Sequence, residues 1–85
     1  MNKRQRAAQL RRPEDWAALS KGLLKAELVK RGISYQQLAE RLEALGVQYT
    51  TENLTNKVNR GKFSTMFLLQ CLEAIDCKVL RLADE

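Results

Sequence analysis

The sequence predicts one all-α domain of four to five short helices, and three observations support this. The 85 residues include only 1 Pro and 4 Gly, so few positions interrupt a helix. Ser and Thr residues stand directly before segments whose apolar residues recur at helical spacing. The composition, 45% apolar and 29% charged, is typical of a folded chain. A domain of this length buries about 60% of its unfolded surface, so we expect a modest core.

The first predicted helix runs from Pro13 to Arg31. Pro13 suits the first helical position, where a missing N–H is not needed, and Glu14 and Asp15 follow where the helix dipole favours acids. Gly32 ends the helix as a left-handed cap, and Gly22 inside the segment allows a break. The apolar positions at helical spacing are Trp16, Leu19, Leu23, Leu24, Leu28 and Val29.

The second predicted helix has the clearest start signal in the chain. Ser34 and Gln37 form a capping box, and Ile33 and Leu38 stand at the two positions of a hydrophobic staple. Gly46 ends the helix. One apolar stripe follows from this start and comprises Tyr35, Leu38, Ala39, Leu42 and Leu45.

The third predicted helix is short and polar. It starts at Thr50 or Thr51, ends at Gly61 and turns only Leu54 and Val58 inward. At about 100° per residue, the opposite face carries Asn53, Asn56, Asn59 and Arg60. Asn is a poor helix former, but it can bond adenine, as Arg can bond guanine, in the major groove. The alternative is a polar surface helix with Asn at frayed ends.

The fourth predicted helix is capped by Ser64, extends to about Asp76 and is apolar around most of its circumference. Such a helix is buried on more than one side. The apolar segment 77–82 is too short to be stable alone, so we expect it to dock on the core or to pair with a second copy. The excess apolar surface predicts a homodimer whose interface comprises Leu68, Leu72, Val79, Leu80 and Leu82.

All the excess positive charge lies in the first dozen residues. The net charge is +5, and residues 1–12 hold five basic residues and no acid, which leaves residues 13–85 neutral. We therefore divide the chain into a basic flexible arm, 1–12, and a helical domain with a C-terminal dimerisation tail, 13–85. Such an arm suits an anionic polymer, and the alternative is a solvated tail. The arm residues are Lys3, Arg4, Arg6, Arg11 and Arg12.

Several functional classes are disfavoured. The chain has no His, so the commonest general base and imidazole metal sites are absent, and we expect neither enzymatic activity nor a metal or other cofactor. Cys71 and Cys77 lack zinc-site spacing and fit buried thiols in a reducing cytoplasm. The sequence predicts no secretory signal peptide, no membrane association and no small-molecule site.

The order of these elements resembles the lambda-repressor/Cro-like helix-turn-helix regulators over about residues 23–76. The shared motifs are a leucine-alanine pair in the second helix, a leucine-glycine-valine turn, an "N-x-G-K" type corner and an apolar closing helix. They correspond to Leu38-Ala39, Leu45-Gly46-Val47 and Asn59-Arg60-Gly61-Lys62. The spacing from Ala39 to Gly46 is three residues longer than usual, and that from Gly46 to Leu54 about two. The longer form is similar to a small bacterial family of uncharacterised domains.

This resemblance implies a sequence-specific double-stranded DNA-binding transcriptional regulator of bacterial, phage or plasmid type. The expected form is a homodimeric repressor that occludes a promoter at a palindromic operator. It implies base readout by Asn53, Asn56, Arg60, Glu52 and Asn59. It implies phosphate contacts by Tyr35, Gln36, Gln37, Thr51, Thr55, Lys57 and Lys62, with Arg4 and Arg6 of the arm entering a minor groove. The alternatives are a protein-interaction module, such as an antitoxin or a regulator adaptor, and RNA binding through the arm.

Overall fold

The computed structural model describes residues 11–82, and this part of the chain contains four helices and no strand. The helices are α1 (Pro13–Arg31), α2 (Tyr35–Ala44), α3 (Thr51–Arg60) and α4 (Thr65–Ala74). The predicted all-α fold is therefore confirmed, with four helices. Within residues 11–82, no helix has the length and the apolar character that a membrane span requires.

Helix α1 is continuous through Gly22, so the break allowed by the sequence does not occur. Asp15 stabilises the start of α1, because its carboxylate accepts a hydrogen bond from the backbone N–H of Arg12 at 3.0 Å. Gly32 ends the helix with a left-handed φ of 64°, and its N–H donates to the carbonyl oxygen of Val29 at 3.0 Å.

The other three helices begin at the predicted caps. In the capping box of α2, the backbone N–H of Gln37 donates to the Ser34 hydroxyl at 3.1 Å, and the Ser34 N–H donates to the Gln37 side-chain oxygen at 2.8 Å. Thr50 caps α3 and Ser64 caps α4, each through its hydroxyl at 3.0 Å from the backbone nitrogen three residues on.

One hydrophobic core joins the four helices. Helix α3 packs against α1 and α2, and α4 packs against α2. Half-buried side chains of the connecting segments, among them Ile33, Val47, Tyr49 and Phe63, complete this core. Its buried residues are Leu24, Leu28, Leu38, Ala39, Leu42, Leu54, Val58, Phe67, Cys71, Leu72 and Ile75.

Four apolar residues that helical spacing placed on inward faces are exposed instead. Val29 is 79% exposed, Trp16 54%, Leu45 49% and Leu19 37%. Helix α1 is nearly twice as long as each of the helices it meets, so part of its apolar spacing has no neighbour to face. The guanidinium of Arg11 lies 4.8 Å from the Trp16 ring centroid and covers part of that ring.

The corner between α3 and α4 lies directly on the backbone of α1. Gly61 ends α3 with a left-handed φ of 67° and is buried. A Cβ atom at this position would overlap the carbonyl oxygen of Ala17 and lie 2.8 Å from its carbonyl carbon. Only glycine therefore allows this approach of the corner to α1.

A buried carboxylate links α1 to the segment that follows α4. Glu27 is 7% exposed and pairs with Arg31 and with Lys30, the latter at 3.3 Å. The Arg31 hydrogen bond holds the pKa of Glu27 below its ordinary value. The Cys77 sulfur lies 3.7 Å from the same carboxylate, which fixes the start of the tail beside α1.

The cysteines are free thiols at two different depths. Cys71 is a core residue, and burial raises the pKa of its thiol to about 12. Cys77 is half-buried. The prediction of two buried thiols is therefore confirmed in full for Cys71 only.

The predicted dimer interface divides into buried and exposed residues. Leu72 is only 9% exposed and belongs to the core of its own chain, which leaves it little surface for a second copy. Leu68 and Leu80 are half-buried against that core. Val79 and Leu82 are 70% and 74% exposed. Helix α4 adds two further exposed apolar side chains one turn apart, Met66 and Leu69.

Candidate nucleic-acid interface

Helix α3 is held by two anchors and presents a polar face to solvent. Leu54 and Val58 are completely buried, one turn apart, between α1 and α2. Asn53, Asn56 and Arg60 are exposed on the other side, as helical spacing predicts. The polar face is therefore fixed in orientation by the core beneath it.

The side chains of this face are not used by the fold. Within residues 11–82, those of Asn53, Asn56 and Arg60 make no hydrogen bond, so the cost of Asn in a helix has no internal compensation. Asn59 differs, because its side-chain oxygen accepts a hydrogen bond from the Lys25 ammonium of α1 at 3.2 Å. Asn59, a predicted base reader, thus lies on the side of α3 that faces α1.

A hollow of about 530 Å³ opens along the C-terminal part of α3. It contains two cations, Lys57 and Arg60, and no carboxylate, and we refer to it as the cationic hollow. The Lys57 ammonium lies 5.2 Å from the ring centroid of Phe67 and 6.0 Å from that of Tyr49, so the two rings hold it in place. The lining residues are Tyr49, Asn53, Asn56, Lys57, Asn59 and Arg60.

A second hollow, of about 600 Å³, lies at the N-terminal end of α3. It contains one carboxylate and no cation, and we refer to it as the acidic hollow. Its lining residues are Glu43, Gln48, Tyr49, Thr50 and Asn53. Tyr49 and Asn53 line both hollows and mark the boundary between them.

Tyr49 is the residue at this face that sequence reasoning missed. It is half-buried, and its ring meets the Phe67 ring edge-on, with centroids 5.5 Å apart and planes at 80°. Its position did carry a signal. Tyr49 directly precedes the cap residue Thr50 and stands at staple spacing from Leu54, which predicts a fixed aromatic at the entry to α3.

The three side chains at the start of α2 that were predicted to contact phosphate differ in how accessible their polar atoms are. The Tyr35 hydroxyl is buried and makes no hydrogen bond within residues 11–82, and burial raises its pKa. In this conformation the one polar atom of its side chain is therefore not available to a phosphate. Gln36 is exposed, while the side-chain oxygen of Gln37 is occupied by the capping box.

The remaining predicted phosphate contacts lie in and after α3. Thr51 is exposed. The Thr55 hydroxyl donates to the Thr51 carbonyl oxygen at 2.7 Å, so it retains only its acceptor capacity, which does not suit an anion. Lys62 is exposed directly after the Gly61 corner.

The predicted basic arm is only partly described. Arg11 and Arg12 form the entry to α1, where Arg11 covers Trp16 and Arg12 pairs with Asp15 at 3.4 Å. These two predicted arm residues thus contact side chains of the first turn of α1. The other predicted arm residues, Lys3, Arg4 and Arg6, lie outside the described residues.

Residues 11–82 contain no group of three or more Cys, Asp or Glu side chains placed to hold a metal ion. The candidate nucleic-acid interface comprises the polar face of α3 and its two hollows.

The chain belongs to a family described as a domain of unknown function, DUF6471, which matches residues 16–80. This match contains α2, α3, α4 and both hollows. No curated protein and no solved structure gives a significant match.

Proposed function

We propose that this DUF6471 domain is a sequence-specific double-stranded DNA-binding transcriptional regulator that reads base edges with α3. The observation that carries the proposal is the polar face of α3, on which Asn53, Asn56 and Arg60 are exposed and unused by the fold. A helix about 10–12 Å across fits the major groove, which is about 12 Å wide. Asn and Arg on such a helix suit the bidentate edges of adenine and guanine.

We further propose that the domain acts in the cytoplasm as a homodimeric repressor that covers a promoter. Met66, Leu69, Val79 and Leu82 are all at least 60% exposed. In a dimer with a two-fold axis, the same patch would be covered on both copies. The two α3 helices would then lie on the two half-sites of a palindrome. Such a dimer, bound across a promoter, would block access to it by occlusion.

Selection of binding sites from random duplex DNA tests this function directly. The expected result is a palindromic motif with half-sites about one helical turn, or ~34 Å, apart. Absence of any enrichment, under conditions where the protein is folded, would contradict DNA readout and favour a protein-interaction module on the same fold.

Asn56→Ala is expected to weaken binding to the selected site by roughly 1–3 kcal/mol and to relax the preference at one base position. Asn56 is exposed and makes no hydrogen bond within residues 11–82, so this substitution should leave the fold intact. The measurement is a repeated selection with the variant, together with titration of the best site.

Lys62→Ala is the matched control. Lys62 is also exposed, but it lies after the end of α3 and is a predicted phosphate contact. It should weaken selected and random duplexes alike, because a phosphate contact carries no base information. An unchanged base preference in Asn56→Ala would show that the longer turn directs another part of α3 to the bases.

Leu82→Asp is expected to give a folded monomer. Leu82 is 74% exposed, so an aspartate at this position is hydrated in the monomer. In the proposed two-fold dimer, the same substitution puts a carboxylate into the interface from both copies and disfavours association. Sedimentation equilibrium at tens of micromolar measures the change.

Leu80→Asp is the contrasting variant, because Leu80 packs on the core and its replacement should also lower the unfolding midpoint. A wild-type monomer that still binds a palindrome tightly would refute this interface.

A further inference from the structure

The cations of the described chain fall into two groups. One group pairs with carboxylates within 4 Å, namely Arg12 with Asp15, Lys30 and Arg31 with Glu27, and Lys78 with Asp76. The other group forms no such pair within residues 11–82, and two of its members, Lys57 and Arg60, line the cationic hollow. The same group also contains Arg11, Lys21, Arg41, Lys62 and Arg81. The neutral sum over residues 13–85 therefore conceals a local excess of positive charge at the C-terminal part of α3, whereas the first turn of α3 carries Glu52.

Lys25 of α1 belongs to the same group. Its ammonium donates to the side-chain oxygen of Asn59 at 3.2 Å, and Asn59 lines the cationic hollow. The partner is a neutral amide, so the positive charge of Lys25 is oriented but not neutralised. An ammonium has three donors, and one bond to Asn59 leaves two for another acceptor.

The two hollows differ in the sign of their charge along α3. Lys57 and Arg60 line the cationic hollow, and Lys25 is hydrogen-bonded to Asn59 of the same lining. The acidic hollow is lined by Glu43. A phosphodiester strand is attracted to the first and repelled by the second. Tyr49, buttressed by Phe67, separates them.

We propose that a DNA duplex crosses α3 in one orientation, with its base edges facing Asn56 and Arg60. One sugar–phosphate strand then passes the α1 side of the cationic hollow, where Lys25 binds one of its phosphates. In this orientation α1 is part of the DNA-binding surface, and the acidic hollow lies away from the phosphate strand. The inference deepens the proposed DNA-binding function and rests on it. It adds Lys25, which the sequence assigned no role, to the phosphate contacts.

Lys30 offers a matched comparison on the same helix. Both residues are exposed lysines of α1, but the Lys30 ammonium pairs with Glu27 at 3.3 Å, away from α3. Replacing either lysine by glutamine removes one positive charge from the chain. A difference in DNA affinity or in its salt dependence between Lys25→Gln and Lys30→Gln therefore reflects the position of the lysine and not the net charge of the chain.

The experiment measures the affinity of the full chain for the selected duplex at several salt concentrations. Each phosphate contact contributes about 0.9 to the slope of log affinity against log salt. We expect Lys25→Gln to lower that slope by about 0.9 for each protomer that contacts DNA. Lys30→Gln should retain the wild-type slope, Lys25→Arg should retain most of it, and the selected base motif should stay unchanged in all three. Circular dichroism checks that each variant is folded.

The outcomes separate this inference from the function on which it rests. If the wild type selects a motif but Lys25→Gln and Lys30→Gln share its slope, the orientation is wrong and the DNA-binding function stands. If Lys25→Gln alters the preferred bases and leaves the slope unchanged, Lys25 is a base reader and the phosphate strand lies elsewhere. If the wild type enriches no duplex, both proposals fail.

Discussion

Gly61→Ala is expected to destabilise the domain by about 2–5 kcal/mol, a large fraction of the stability of a small domain. A left-handed backbone costs an L-residue about 1–2 kcal/mol. Forcing an extra methyl group into a packed region adds about 1–3 kcal/mol. Both penalties apply at Gly61, because its φ is +67° and an added Cβ would overlap the backbone of Ala17. Urea unfolding followed by circular dichroism measures the loss.

Gly32→Ala separates the two penalties. Gly32 also ends a helix, at a nearly identical φ of +64°, but an added Cβ there meets no atom within 4 Å. We therefore expect only the backbone penalty, about 1–2 kcal/mol. Equal losses in Gly32→Ala and Gly61→Ala would show that the corner moves away from α1 at no cost, and the close approach would then have no energetic weight.

Phe67→Ala is expected to cost about 3–5 kcal/mol of stability, the range for removing a buried aromatic side chain. Phe67 is 2% exposed, and its ring contacts those of Tyr49 and Phe63 with centroids 5.5 and 5.4 Å away. Its removal also takes away the ring beneath the Lys57 ammonium. If the proposed DNA-binding function holds, binding should therefore fall even where the variant is still folded.

Met66→Ala is the matched control for that substitution. Met66 precedes Phe67 on α4 but is 71% exposed, so its truncation should change stability by no more than about 0.5 kcal/mol. Urea unfolding of both variants gives the comparison. A loss below about 1 kcal/mol in Phe67→Ala would contradict the burial of this side chain, because the lost transfer free energy alone exceeds that value even where the cavity collapses.

The helix starts were predictable because their causes are local. The capping box at Ser34 and the caps at Thr50 and Ser64 depend on residues within four positions of each other, and the structure has each of them. The inward direction of Leu54 and Val58 follows equally from helical spacing. These short-range rules are sufficient to place the polar face of α3.

The faces of α1 were less predictable, because burial depends on which helix lies opposite. Trp16 and Val29 have the same apolar character as Leu24, but only Leu24 meets α3 and the rest of the core. Spacing alone cannot distinguish them. The inward hydroxyl of Tyr35 is a similar case, since its direction is set by packing and not by its position at the start of α2.

The charge pattern of the candidate site required tertiary structure. Lys25 and Asn59 are 34 positions apart in sequence, and their hydrogen bond exists only because α1 crosses α3. Glu43 and Asn53 share the acidic hollow for the same reason, as the segment between α2 and α3 folds back. The face of α3 was therefore predictable, whereas its charged surroundings were not.

The contact between Gly61 and Ala17 also has an evolutionary consequence. The atoms of Ala17 that an added Cβ would meet are its carbonyl oxygen, carbonyl carbon and Cα, which every amino acid possesses. Substitution of the Ala17 side chain therefore leaves the steric restriction on Gly61 in place. Selection for folding should then act unequally on the two positions. Relatives are expected to retain glycine at the corner whichever residue occupies position 17, so no compensating pair of substitutions would mark this contact in an alignment.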